Sequence, residues 1–299
     1  MASVRIICLH RVVPESERER YWPWLFRGSA ITDRELHERL SVVAASYEWV
    51  DEQAAWEIIR GNAPRSRPAC WVTFDDGYHD NLSTAAPILR EFGIRPTLFV
   101  STHVLQPDFL LPVDRWYLTL LGARCNCVRV DLGSGEWCVD LSDRESRVRL
   151  VSGPEKQRYV QASPELQATM ADELRDVLGA PASTETLRDQ ARYLTERDLQ
   201  ELSELGWRIG HHGGSHRLLT RLHEDEVVTE VIEPARTLCR IPVRRSRFMA
   251  WPDGVWTPDA ATRIADLLVP SGYLGGLTIE PRLATSRDDP WALPRFLNI

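Results

Sequence analysis

Cysteine is scarce in this chain, and positive charge does not dominate it. Six cysteines in 299 residues are too few for the dense, regular framework of a disulfide scaffold. Cys8 and Cys70 sit in strand-like runs and read as buried thiols. Cys125, Cys127 and Cys138 have the outline of a C-x-C…C metal site. They flank V-R-V-D-L-G-S-G-E-W-C-V-D, however, which reads as a β-hairpin turning at Gly133, Ser134 and Gly135, and the hairpin is the preferred reading. A formal net charge of −7 excludes nucleic acid as the main partner, because phosphate binding needs a basic surface. No stretch approaches the ~18 consecutive apolar residues of a membrane span. The opening M-A-S-V-R-I-I-C-L-H-R has an apolar run too short for a signal peptide and no small-residue cleavage site, so a cytoplasmic location is expected. Internal repeats and low-complexity tracts are also missing. What remains, 43% hydrophobic and 26% charged residues, is the composition of a globular protein with room for one large domain or two ordinary ones.

The most informative stretch is Trp71–Tyr78, W-V-T-F-D-D-G-Y. Trp71, Val72, Thr73 and Phe74 have the β-branched and aromatic character of a buried strand, and Gly77 suits a tight turn. Asp75 and Asp76 are adjacent carboxylates at the end of that strand. They repel each other and lose hydration, so a bound cation is one way to offset the cost. The alternative is that Asp75 caps a helix and Asp76 faces water.

The surrounding pattern is α/β. Val4–Leu9 reads as a strand ending at His10. Thr32-Asp33-Arg34-Glu35 is a capping box that opens a helix to about Ser46, and Asp51–Arg60 a second helix. Asn81–Phe92 is a helix with the stripe Leu82, Ala85, Ala86 and Leu89, stopped by Gly93, and Thr97–Ser101 is the next strand. Strand, helix and strand make a parallel βαβ unit, in which ligands lie beyond the C-terminal strand ends. His10, Asp75 and Asp76 all occupy such ends. Residues 103–192 interrupt the rhythm with a helix at Asp114–Leu121, the hairpin and a helix at Pro164–Leu178 capped by Ser163, and read as an insertion. The alternation resumes with helices at Thr195–Leu205, Glu224–Cys239 and Pro258–Leu268. Strands are expected at Trp207–Gly210, Arg247–Ala250 and Tyr273–Leu277, with a last extended piece at Pro294–Ile299.

Directly after the Trp207 strand comes His211-His212-Gly213-Gly214-Ser215-His216. Imidazole and carboxylate together suit a zinc-class divalent metal. His212 and His216 with one aspartate leave coordination positions open, as a catalytic site requires.

With these motifs in place, the sequence resembles the polysaccharide deacetylase family, the carbohydrate esterases of the NodB homology domain. T-F-D-D-G is similar to its first motif, Gly210–His216 to its second and Phe248–Gly254 (F-M-A-W-P-D-G) to its third. C-L-H-R-V and L-P-R-F-L-N-I resemble the two ends of the bacterial exopolysaccharide branch. The resemblance covers Val4–Val100 and Thr195–Ile299. It implies one domain over residues 1–299, a deformed (β/α) barrel of about seven parallel strands with the α+β insertion at 103–192. It also implies hydrolysis of N-acetyl groups on amino sugars with one divalent metal, Zn2+ first and Co2+, Ni2+ or Mn2+ as alternatives.

Carried over by residue, the resemblance makes Asp75 the general base and Asp76, His212 and His216 the metal ligands. Gly77, Tyr78, Trp251, Pro252 and Asp253 become substrate contacts, with the backbone N–H near Asp253 helping to hold an oxyanion. Trp251 reads equally as core packing. Three departures stand out. Gly213 replaces the usual Ser or Thr. Ala250 stands where an Arg usually orients the base, leaving Arg295 or Arg247 for that task. No His follows His223, so the usual general acid is missing and His10 is the expected replacement, with His211 next. His79 and His103 read as surface or packing residues. An N-acetylated amino sugar is the expected substrate. A deformylase or small-metabolite amidohydrolase and a non-catalytic sugar-binding member are the alternative readings.

Overall fold

The structure is a computed structural model that describes residues 3–63, 65–125, 127–131, 135, 137–181 and 191–299. The chain forms two compact units: Met1–Pro14, Thr32–Pro107 and Tyr193–Ile299 make the first, Glu15–Ile31 and Asp108–Arg192 the second. No helix among the described residues is long and apolar enough to cross a membrane.

The first unit is mixed α/β around a sheet of mostly parallel strands. The strands of its two sheets are β1 Ser3–Leu9, β2 Glu48–Trp49, β3 Ala69–Asp76, β4 Thr97–Val100, β5 Arg208–His211, β6 Phe248–Ala250, β7 Gly275–Leu277, β8 Ala284–Thr285 and β9 Phe296–Leu297; the short strand Arg11–Val13 lies outside both. The larger sheet has seven strands in the order β8-β1-β3-β4-β5, with β9 also on β1 and β2 also on β3. All of its pairings are parallel except β1 with β8. β6 and β7 pair in parallel as a separate two-stranded sheet. The barrel expected from the resemblance is therefore not closed by strand ladders among the described residues. Two isolated parallel bridges, Ile209 with Arg245 and Leu277 with Leu293, lie at the breaks.

Register explains where chemistry collects. Leu9 pairs with Phe74, Asp76 with Val100 and Val100 with His211. The residues that follow β1, β3 and β5 therefore leave the sheet at one edge. Beneath it, Val4, Ile6, Trp71, Phe99, Phe248, Leu277 and Leu293 form a dry core. Fixing the strand ends against such a core gives the site a rigid base.

The helices follow their sequence signals. Asp33–Ser46 opens with the reciprocal Thr32–Glu35 capping box, Glu52–Ile59 is capped by Asp51, and Pro258–Leu268 by Thr257. The helices expected at 81–92 and 224–239 each open with a wide turn: Ala86 N–H bonds to the Asn81 carbonyl and Glu233 N–H to the Val228 carbonyl. Pro87 and Pro234 follow these turns and have no N–H for the ordinary ladder, which leaves room for the wider spacing.

The second unit has its own core. Helices Trp22–Arg27, Pro112–Leu121, Arg144–Ser152, Pro154–Gln161 and Pro164–Leu178 bury Trp24, Trp116, Tyr117, Leu150, Tyr159 and Leu174. Buried indoles need partners: Trp24 Nε1 donates to Asp114 Oδ1 at 2.9 Å, and Trp116 Nε1 to the Leu150 carbonyl at 2.8 Å. The hairpin pairs Cys127–Val130 with Trp137–Asp140. Its expected turn residues Gly133 and Ser134 lie outside the described residues. Glu15–Arg27, which carried no helix signal in our reading, is helical.

Candidate active site

Asp75 and Asp76 end a strand whose every residue is buried. Asp76 departs from strand geometry with φ 77°, and Gly77 follows at φ 102°. A Cβ on Gly77 would lie 2.7 Å from Val100 Cγ2, so the turn after the carboxylates admits glycine alone without displacement. The two aspartates then meet different neighbours.

Asp75 is held by Arg295. Arg295 Nη1 donates to Asp75 Oδ1 and Nη2 to Oδ2, both at 2.8 Å, and neither side chain is more than 1% exposed. Arg295 Nε donates to the Thr278 carbonyl at 3.0 Å and Nη1 also to Thr73 Oγ1 at 3.1 Å. Cys8 Sγ donates to Asp75 Oδ2 at 3.3 Å. Burial by itself would raise the Asp75 pKa. The Arg295 charge, with a smaller contribution from His212, more than offsets it and holds the carboxyl well below the usual carboxylate range. Arg247, the other candidate for this task, is exposed and donates from Nε to the Gly272 carbonyl at 3.1 Å.

Asp76 faces the histidine loop. Asp76 Oδ1 is 3.7 Å from His212 Nε2 and 3.5 Å from His216 Nε2, and one ligand atom from each residue falls within 4.8 Å of the others. The imidazole rings of His212 and His216 lie 4.9 Å apart, nearly edge to face. His212 Nδ1 is 2.9 Å from the Ala250 carbonyl. A carbonyl can only accept, which places the proton on Nδ1 and leaves the Nε2 lone pair directed at Asp76. Burial, only partly countered by Asp75, depresses the His212 pKa to about 3, so the ring is neutral. A neutral imidazole with its second nitrogen pinned by a carbonyl is the form that ligates metals. The donor set therefore fits a divalent metal held by Asp76, His212 and His216.

Backbone strain marks the same place. His216 adopts φ 65°, a costly conformation for a residue with a Cβ. Glu230 clamps the loop against that strain: its Oε2 accepts from Gly214 N at 3.2 Å and Ser215 N at 2.9 Å, and its Oε1 from Ser215 Oγ at 2.6 Å. Glu230 drew no attention in the sequence, where one glutamate inside an amphipathic helix carries no signal. His103 N–H donates to the Gly214 carbonyl at 2.9 Å, which ties the loop on its other side.

His10, Cys8 and Asp75 form a neighbouring group, again with one polar atom of each within 4.8 Å of the others. His10 Nδ1 is buried and makes no hydrogen bond among the described residues. Its backbone carbonyl accepts from Asn81 Nδ2 at 2.7 Å, and the short strand that follows, Arg11–Val13, is anchored by Asp80, which accepts from Arg11 Nε at 2.8 Å and Val12 N at 2.9 Å.

No protein-family model and no curated protein matches the sequence. Solved structures do match. The deacetylase PplD of Streptococcus pyogenes, solved in complex with acetate, superposes with a TM-score of 0.60 at 15% identity, over 98% of this chain and 91% of its own. IcaB of Ammonifex degensii gives 0.59 at 16% identity, over 100% and 93%. A de-N-acetylase of Aggregatibacter actinomycetemcomitans gives 0.58 at 14%, over 99% and 95%. The chain has the polysaccharide deacetylase fold.

Within that deacetylase fold, several of the expected substrate contacts are buried. Tyr78, Trp251 and Pro252 were candidates for touching substrate, but all three are buried. Tyr78 packs 5.7 Å from the Tyr193 ring with the Arg11 guanidinium 4.3 Å from its face. Trp251 is fully buried, its Nε1 donates to the Trp291 carbonyl at 2.7 Å, and it packs in a hydrophobic cluster with Met249 and Ile264. Asp253 is exposed with φ 54°. His211 is fully buried beside Tyr273 and its Nδ1 accepts from Gly213 N at 3.3 Å. Burial depresses its pKa to about 3, so the ring is neutral at neutral pH.

Proposed function

We propose that this chain is a metal-dependent hydrolase that removes the N-acetyl group from an N-acetylated amino sugar, with Zn2+ as the first expectation for the metal. The observation that carries the reading is a cluster of two histidines and one aspartate, Asp76, His212 and His216, beside a second aspartate paired with a buried arginine. PplD and the de-N-acetylase share the fold, and their named activities are the source of the acyl group assigned here. We also read the first unit as a deformed barrel, completed where the bridges at Arg245 and Leu293 lead into β6 and β9.

Asp76, His212 and His216 would hold the metal. When bound, it supplies Lewis-acid polarisation of the amide and activation of water. Asp75 accepts the proton of the attacking water. Arg295 keeps that carboxylate ionised and fixes its plane through two parallel hydrogen bonds. The departing amine needs a proton, because an amide anion is a prohibitively poor leaving group. His10, next to Asp75, is the donor in this reading. The backbone at Asp253, carried on the turn after β6, is the proposed oxyanion contact.

The test is release of acetate or formate from a panel of N-acylated sugars, with and without chelation. Acetate release that stops on chelation supports the reading. Formate release instead would make the protein a deformylase. Sugar binding with no acyl release by metal-replete protein would leave a binding protein and overturn the catalytic assignment.

A further inference from the structure

The hairpin of the second unit carries two thiols that the proposed reaction does not use. Its register sets Cys127 opposite Asp140 and Arg129 opposite Cys138. Residues two apart on a strand share a face, so Cys127, Arg129, Cys138 and Asp140 project on one side. Val130 and Val139, of opposite parity, are buried. The cysteines are thus diagonal neighbours on the open face of the hairpin, both exposed. Their Sγ atoms are 3.2 Å apart, about 1 Å beyond the covalent S–S length of about 2.05 Å. Cys8 and Cys70, by contrast, are fully buried thiols that a dissolved disulfide does not reach.

We propose that Cys127 and Cys138 form a reversible disulfide by exchange with a small-molecule disulfide such as oxidised glutathione. One cysteine thiolate attacks a sulfur of the small disulfide, forms a mixed disulfide and expels one small thiolate. The second cysteine thiolate then attacks the protein-bound sulfur, closes the Cys127–Cys138 bond and expels the other. Two protein thiols are oxidised, one small disulfide is reduced to two thiols, and the two S–H protons go to the departing thiolates. The hydrogen bond shared between the sulfurs raises the Cys127 thiol above its ordinary value, and exchange speeds up as rising pH converts thiol to the attacking thiolate. The product covalently joins the two hairpin strands and is undone by excess thiol. Whether it persists is set by the surroundings: closed in an oxidising compartment, open in a reducing one.

The full chain is incubated with oxidised glutathione, alkylated and digested with trypsin. Cleavage after Arg124, Arg129 and Arg144 gives C-N-C-V-R, which holds Cys125 and Cys127, and a second peptide that holds Cys138. The two peptides should be disulfide-linked in the wild type and in Cys125→Ser, and separate after dithiothreitol. The link should be lost in Cys127→Ser. In Cys138→Ser, glutathione should remain trapped on Cys127. Two outcomes overturn the proposal: wild-type protein that accumulates glutathione on both cysteines without a link, and a link that survives in Cys127→Ser through Cys125. Neither outcome depends on hydrolase activity, so the test is independent of the function proposed above.

Discussion

Asp75 and Arg295 form a buried, doubly hydrogen-bonded pair, and such pairs are costly to break from one side. Arg295→Met leaves an uncompensated buried carboxylate and should cost about 3–5 kcal/mol. Adding Asp75→Asn in the same chain removes the stranded charge and should recover much of that loss, as urea denaturation of the two variants will show. Asp75→Asn alone keeps Asp76, His212 and His216 intact. It should retain metal, measured by elemental analysis, while turnover falls on the order of 10²–10⁴ for loss of a general base. Near wild-type turnover would move the base elsewhere. His10→Gln separates donor from scaffold: bound metal should be unchanged, turnover should drop steeply, and the basic limb of the pH–rate profile should change. An unaltered limb would make His10 structural.

Elements meet at two buried glutamates that connect parts far apart in sequence. Glu52, in the first turn of Glu52–Ile59, accepts from Arg247 N at 3.0 Å, Ser246 Oγ at 2.5 Å and Thr97 Oγ1 at 3.2 Å, so one carboxylate joins a helix, β4 and the start of β6. Burial raises its pKa, against hydrogen bonds and the Arg208 charge that lower it. A carboxyl with a raised folded pKa binds its proton more tightly when folded. Its contribution is therefore complete below the unfolded pKa and is lost as pH rises through the folded one. Stability of the wild type relative to Glu52→Gln should fall with rising pH, and Glu52→Ala should cost about 1–3 kcal/mol by stranding buried donors; a pH-independent difference would refute the first part. Glu230 acts on the histidine loop in the same manner, and Glu230→Ala should weaken metal binding by about 10–100-fold, read by competition with a chelator. These glutamates also show what the sequence could and could not convey. Asp75, Asp76, His212 and His216 were legible because each pair sits in a single short run directly after a recognisable strand. Glu52 and Glu230 were not, because their partners are contributed by tertiary contact and no local pattern distinguishes them from solvated helix residues. Arg295 is 220 positions from Asp75, and only the family resemblance drew attention to it. Trp251 was ambiguous for a different reason, since aromatic residues look alike in sequence whether they line a wall or fill a core.

At the scale of the whole molecule, the α/β rhythm of the first unit was readable from strand–helix periodicity, whereas the helical Glu15–Arg27 stretch, rich in alternating charge, gave no apolar stripe to follow. The two units also carry separate chemistry: the candidate metal ligands all belong to the first, and the Cys127–Cys138 pair to the second. A ligand stabilises the structure it binds by an amount set by its concentration relative to Kd, about 4.1 kcal/mol at a thousandfold excess. A metal held as proposed would join the ends of β3 and β5 through Asp76, His212 and His216, so the protection it confers should be concentrated there. Hydrogen exchange should slow on zinc addition across 69–76 and 208–216 and stay unchanged at 127–130 and 137–140. In Asp76→Ala the zinc effect should disappear, whereas in Cys138→Ser it should persist, because that cysteine holds none of the proposed ligands. Zinc-dependent slowing in the hairpin with none at the two strand ends would place the metal on the cysteines and remove the basis for reading the histidine loop as its site.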